Sequence, residues 1–156
     1  MAVKKPLVIT GGQIEQLQPS DQLASAELTE KTNNNASAIV IGQPVYVDGG
    51  GTVDLAQANA LLTSRVLGLV ADSSIAAASP GAILTDGILE ATTGEWDTVT
   101  GETGGLSAGN LYFLDPTTAG MLTQTAPTSS GEFVAEVGLA LSTTELEISI
   151  RRTVRL

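Results

Sequence analysis

Cysteine and histidine are both absent from the 156 residues, aromatic residues make up 3% of them, and only seven side chains are basic. Each shortage removes a class of chemistry. Without cysteine there are no disulfides, thiolate metal sites or thiol nucleophiles. Without histidine the usual general base is missing, and with it any Ser-His or Cys-His arrangement. A carboxylate pair of the glycosidase kind stays open to a chain with 17 acids, but no spacing singles one out. The aromatics, Tyr46, Trp96, Tyr112, Phe113 and Phe133, are scattered and supply no stacking row for a sugar. The expectation is a protein that is not an enzyme, with no cofactor and no metal. No stretch approaches the roughly 18 consecutive apolar residues of a membrane span. The start has two lysines but only a short apolar run before Thr10-Gly11-Gly12, too little for a signal-peptide core, so synthesis in the cytoplasm is expected.

The few bases are unevenly placed. Lys4 and Lys5 stand near the start and Arg151, Arg152 and Arg155 near the finish, whereas residues 6–150 hold all 17 acids with only Lys31 and Arg65, a net charge of −15. Such a body repels phosphate backbones, which argues against nucleic acid as a partner. The basic ends read either as solvated termini or as an adhesive foot. In the second reading Lys4, Lys5, Arg151, Arg152 and Arg155, with the apolar Leu7, Val8, Ile9, Ile14 and Leu17, grip an acidic scaffold while the body faces solvent.

What the chain does contain is small aliphatics, 17 glycines, and a unit that recurs. Gly42-Gln-Pro-Val-Tyr-Val-Asp48 is answered 67 residues on by Gly109-Asn-Leu-Tyr-Phe-Leu-Asp115. Val66-Leu-Gly-Leu-Val70 is answered by Val137-Gly-Leu-Ala-Leu141, with Gly68 and Gly138 offset by 70. Similarity at both ends of a segment, at nearly constant spacing, indicates one supersecondary unit built twice. The related units run over about residues 38–91 and 105–152. Short strands separated by Gly, Pro, Asp and Asn turns predict an all-β fold, a compact β-sandwich or barrel with an internal duplication. A domain of this size buries roughly 68 to 70% of its unfolded surface.

Ahead of this body, Leu7–Thr10 and Gln13–Leu17 read as a hairpin across Gly11-Gly12. Residues 22–37 are polar and end in Asn33-Asn34-Asn35. A short helix near Ala24 to Lys31 is open, but an extended linker is preferred, so residues 1–37 read as an arm and 38–156 as the body. Within the body, Pro80-Gly81 and Asp86-Gly87 read as turns, and residues 92–110 as a Thr- and Gly-rich separator. Leu146, Ile148 and Ile150 alternate toward a buried face. Trp96, in a polar stretch, is either a plug over the core or an interface anchor. Asp48 and Asp115, each at the end of a strand, read as turn caps in preference to metal ligands. Gly49 to Gly51 and Gly101 to Gly105 are turns, not phosphate cradles.

The series Gly-x-x-Val-Tyr-Val-Asp, a glycine turn, Arg65-Val66-x-Gly68-Leu69, Asp86-Gly87, Gly-x-x-Tyr-x-Leu-Asp, Val137-Gly138-x-Ala140 and a last strand ending in Arg151-Arg152 resembles small β-rich structural proteins of tailed bacteriophages. The likeness covers roughly residues 38–154. Lys4-Lys5-Pro6-Leu7-Val8-Ile9-Thr10-Gly11-Gly12 is similar to the lead-in of such virion proteins. Capsid decoration, or cement, proteins resemble this chain, and so do modules of tail fibres. The resemblance implies a non-enzymatic structural protein on the capsid surface of a virion. It would be a homotrimer whose partner is the major capsid protein, stabilising contacts between capsid subunits. The alternative is a tail-fibre or baseplate module in contact with a receptor. A carbohydrate-binding module ranks below both.

Overall fold

The computed structural model describes residues 27–156 in full, together with the backbone of two strands before them. Those two, β1 (Leu7–Thr10) and β2 (Gln13–Gln16), pair antiparallel, with Leu7 opposite Gln16 and Ile9 opposite Ile14, as a two-stranded sheet of their own. Lys4, Lys5, the Gly11-Gly12 turn and Leu17 lie outside the described residues.

The rest is almost entirely β, an antiparallel sheet curled into a half-barrel, with one short helix. Strand β3 (Glu27–Thr32) precedes the first unit, which consists of β4 (Ile39–Val40), β5 (Pro44–Val47), β6 (Val53–Leu55), β7 (Val66–Val70), β8 (Ser74–Ile75) and the long β9 (Pro80–Glu90). Helix α1 (Thr93–Thr100) follows. The second unit is β10 (Leu111–Leu114), β11 (Leu122–Thr123), β12 (Phe133–Val134), β13 (Glu136–Ala140) and β14 (Glu145–Ile148), and β15 (Val154–Arg155) closes the chain.

The main sheet runs β11-β10-β13-β14-β9-β7-β5-β6. It therefore reads alike from both ends, one unit per half, meeting where β9 pairs with β14. The repeat extends to register. Val45 stands opposite Gly68 and Tyr112 opposite Gly138, and the ladder slips by one residue immediately after each pair. Gly42 and Gly109 share a φ of 83°. At Gly68 a Cβ would lie 2.3 Å from the Leu84 carbonyl oxygen, and at Gly138 2.3 Å from that of Glu147, so both glycines admit a neighbouring strand that no side chain would.

Side-chain facing does not follow the repeat. Tyr46, Leu69 and Leu84 face the main core, which both units share, together with Tyr112, Leu114, Val137 and Leu146. Val45, Val70 and Ile83 face the other way, into a second core closed by Ile39 and Ile75 of the β4–β8 ribbon. Val45 thus points outward where its counterpart Tyr112 points inward. The ribbon covers the outer face of the first half as far as Ile83, and among the described residues no such ribbon lies on the outer face of the second half.

Several sequence expectations are corrected here. Residues 27–32 are not linker: β3 pairs with β9 from Glu27–Asp86 to Thr32–Pro80. Leu84 meets Leu69 of β7 and Leu28 of β3, so the two strands flank opposite edges of β9. The polar triplet then locks β3 to the body. Asn33 is fully buried, its Nδ2 donates to the Ser37 and Ile75 carbonyls at 3.0 Å, and its Oδ1 accepts from the Asn35 amide. Asn34 and Asn35 donate to Asp48 and Asp54. The body therefore includes residues 27–37, and the arm expected over 1–37 is shorter.

Neither Pro80-Gly81 nor Asp86-Gly87 is a turn, because both lie within β9. Pro80 is tolerated as the strand's first residue, where no ladder donor is required. Gly87, at φ 108°, bends the strand where its edge partner changes from β3 at Asp86 to β14 at Gly87. Residues 92–110 are not a plain separator either, since α1 lies among them. Thr92 caps it: the Thr92 hydroxyl accepts from the Glu95 amide, and the Glu95 carboxylate accepts from the Thr92 amide at 2.7 Å. Leu146 and Ile148 are buried and Ile150 half-buried, in keeping with the alternation.

Candidate functional site

Trp96 is the first predicted site residue to be relocated. It projects from α1 with Val99 into the main core, fully buried, and its Nε1 donates to the Thr144 carbonyl at 2.9 Å. A Cβ on Gly42 would come within 3.0 Å of its ring, so the indole lies directly beneath the start of the repeated motif. Of the two readings it is the plug. An indole with no exposed surface offers nothing to a partner.

Asp48 and Asp115 sit in matching turns and take matching roles. Asp48 Oδ1 accepts from the amides of Gly50 and Thr52, and its Oδ2 from the Thr52 hydroxyl. Asp115 Oδ1 accepts from the amides of Thr117 and Thr118 and from the Thr117 hydroxyl, all at 2.7 Å. Chiefly the Thr52 hydroxyl, helped by backbone amides, holds the Asp48 carboxyl below the usual range. At Asp115 burial pushes upward, but the bonds from Thr117 and Thr118 outweigh it and the carboxyl is again lowered. In both residues Oδ1 closes the turn, and Asp48 Oδ2 also accepts from Asn34 Nδ2. Among the described residues no group of three or more carboxylates converges in a way that would hold a metal ion.

A second polar cluster, around Tyr112, fixes the loop before β10. The Tyr112 hydroxyl donates to Glu102 at 2.9 Å and accepts from the Ser107 amide, and Gln124 Nε2 reaches both Glu102 and that hydroxyl. Burial raises the phenol's pKa, so it remains a donor. Every group in this cluster is occupied by another.

The feature that is neither core nor turn is the corner where the C-terminal residues meet the loop after β6. Arg65, Arg151 and Arg152 line an open groove of about 420 Å³, together with Leu61, Val66, Ile150 and Thr153. Its apolar floor is Val66 and Ile150, both packed against the main core. The Thr153 hydroxyl donates to the Ser64 carbonyl at 3.0 Å and ties the chain end to the loop. Beyond it β15 pairs with β12, placing Arg155 opposite Phe133, and the Phe133 amide donates to the Ala58 carbonyl. Arg151 Nε meets Glu136 Oε1 at 2.8 Å with Arg151 largely solvated, a contact worth at most about 1 kcal/mol. It is the only salt bridge among the described residues, which leaves Arg65 and Arg152 facing solvent across the groove.

The structure thus brings together two of the predicted residues, Arg151 and Arg152, while Arg155 stands apart on β15, and adds one that the sequence reading left in the acidic body, Arg65. No local signal could have found it, since 86 residues separate Arg65 from Arg151. The paired backbone of Leu7, Val8, Ile9 and Ile14 belongs to the separate hairpin. No helix among the described residues is long and apolar enough to cross a membrane. No protein-family model matches the chain, and no curated protein matches it.

Proposed function

We propose that this chain is a structural protein of a tailed-bacteriophage virion that binds the outside of the head and stabilises contacts between major capsid subunits. The reading rests on the ordered strand and turn motifs of residues 38–154, which resemble those of capsid decoration proteins. The observation that carries it beyond the resemblance is the hairpin β1–β2, which forms a sheet of its own. An isolated two-stranded hairpin is marginal in water, so it needs a surface to lie on. A capsid subunit supplies one by strand addition or by burial of apolar side chains. Many individually weak contacts then act together, because each bound copy raises the effective concentration of the next contact.

The test is the copy number of the chain in purified particles, by quantitative mass spectrometry against the major capsid protein. A ratio of about one, as expected for multivalent coverage of a shell, supports decoration. A small minority of copies points to a tail-fibre or baseplate module, and absence from particles removes both readings. Deleting residues 1–20 is expected to abolish head binding and leave a folded body by circular dichroism. Unchanged binding would mean that the hairpin is not the attachment element.

A further inference from the structure

Of the eight large apolar side chains notably exposed among the described residues, Ile88, Leu111 and Leu141 lie together among carboxylates and Leu61 lines the groove of arginines. The first group lies on the outer face of the second half-sheet and the adjoining end of β9, which no other described strand covers. Residues directly opposite one another in a ladder share a face, so Leu111, Leu139, Glu147 and Ile88 form one outward row across β10, β13, β14 and β9. Glu145 stands beside them opposite Glu90, and the Leu141 amide bonds to the Glu145 carbonyl. Ile88, Leu111 and Leu141, each 40 to 52% exposed, are thus set among three carboxylates, two of them directly opposed. Like charges facing each other across a ladder destabilise a sheet unless something cationic covers them.

The second group is the corner described above. Leu61, 54% exposed, lines the groove with Arg65, Arg151 and Arg152, and the exposed Leu62 and Val154 stand next in sequence to Leu61 and Thr153 of its lining. Three of the protein's four arginines thus line one groove, and the fourth, Arg155, stands on β15 opposite Phe133. The acidic face and the basic corner are both apolar at the centre and charged around it, with opposite signs. Each therefore fits the other, and neither fits itself.

We propose that copies of this chain associate head to tail, the acidic outer face of one seated on the arginine corner of the next. Ile88 and its apolar neighbours enter the groove floored by Val66 and Ile150. Glu90 and Glu147 meet Arg65 and Arg152. A contact between two different patches generates a ring when its rotation closes, which suits a protein that repeats around a symmetry point of a shell. The proposal deepens the capsid reading by naming the self-contact, and so rests on it. The two are separable, because self-association is measured on purified chain without particles.

The experiment uses light scattering with size-exclusion chromatography on the full chain. The wild type is expected to be oligomeric and to dissociate as salt rises. Glu90→Arg with Glu147→Arg, and separately Arg65→Glu with Arg152→Glu, should each weaken association by at least about tenfold. All four changes in one chain restore the attraction with its sign inverted and should recover the oligomer. If either pair of reversals lowers the circular-dichroism signal of the folded chain, Glu147→Gln and Arg152→Gln replace them and should each weaken association. A monomeric wild type, assembly indifferent to the reversals or to the Gln variants, or four changes that fail to recover it would overturn the proposal. A monomer that nevertheless coats particles would overturn the contact and leave the capsid reading standing.

Discussion

Gly68 and Gly138 stand where a neighbouring carbonyl oxygen occupies the space of a side chain, and alanine at either should be far more damaging than its size suggests. With a Cβ only 2.3 Å from that oxygen the strands must part, and overpacking of this kind costs about 3 kcal/mol. Urea titration of Gly138→Ala should show the loss, whereas Gly49→Ala, with nothing within 4 Å, should stay within about 0.5 kcal/mol of wild type. Asn33→Ala leaves the buried Ile75 carbonyl, and that of Ser37, without their donor and should cost about 2 kcal/mol. The turn aspartates make stability depend on acid. Asp48, Asp115 and the capping Glu95 are all lowered in the folded chain, so folding favours their charged forms. Their contribution is present above the ordinary carboxylate value and is lost as pH falls through the lower folded value. The thermal midpoint should therefore be insensitive to these groups from pH 7 to about 5 and fall below about pH 4, more gently in Asp115→Asn.

At the scale of elements, α1 is short and weakly amphipathic, and it exists because its ends are capped and its one large side chain is buried. Trp96→Ala should cost about 3 to 5 kcal/mol, since it empties the space beneath Gly42 and strips the Thr144 carbonyl of its donor. As the only tryptophan, Trp96 also reports on the core: its emission should be blue-shifted in the folded chain and move red in a single step on unfolding. The helix was legible in part. Thr92-Thr93-Gly94-Glu95 carries the Thr-x-x-Glu capping spacing, and Gly101 takes the left-handed conformation that ends the helix. Thr and Gly in abundance obscured both signals. β3 offered less to read, because its one large apolar side chain, Leu28, is exposed. Backbone pairing to β9 holds it, and that leaves no apolar alternation.

At the scale of the molecule, the two units are one folding body. The main core draws Leu69, Leu84 and Leu89 from the first unit and Tyr112, Leu114 and Leu146 from the second. Residues 38–91 expressed alone should stay unfolded by circular dichroism. The full chain should unfold in one calorimetric transition, with equal calorimetric and van't Hoff enthalpies. The sequence by itself determined the β class, the duplicated unit and the turn roles of Asp48 and Asp115. Each of these is written in local spacing: glycines at strand ends, alternation within strands, aspartates that bond their own backbone. Only the tertiary structure decided that β9 runs unbroken through Asp86-Gly87, that β3 belongs to the sheet, that Trp96 is core, and that Arg65 joins Arg151 and Arg152. Asp-Gly serves a strand bend as readily as a turn, and the choice depends on which strands lie alongside. Which distant side chains share a corner likewise depends on how the sheet curls, and no spacing along the chain records that.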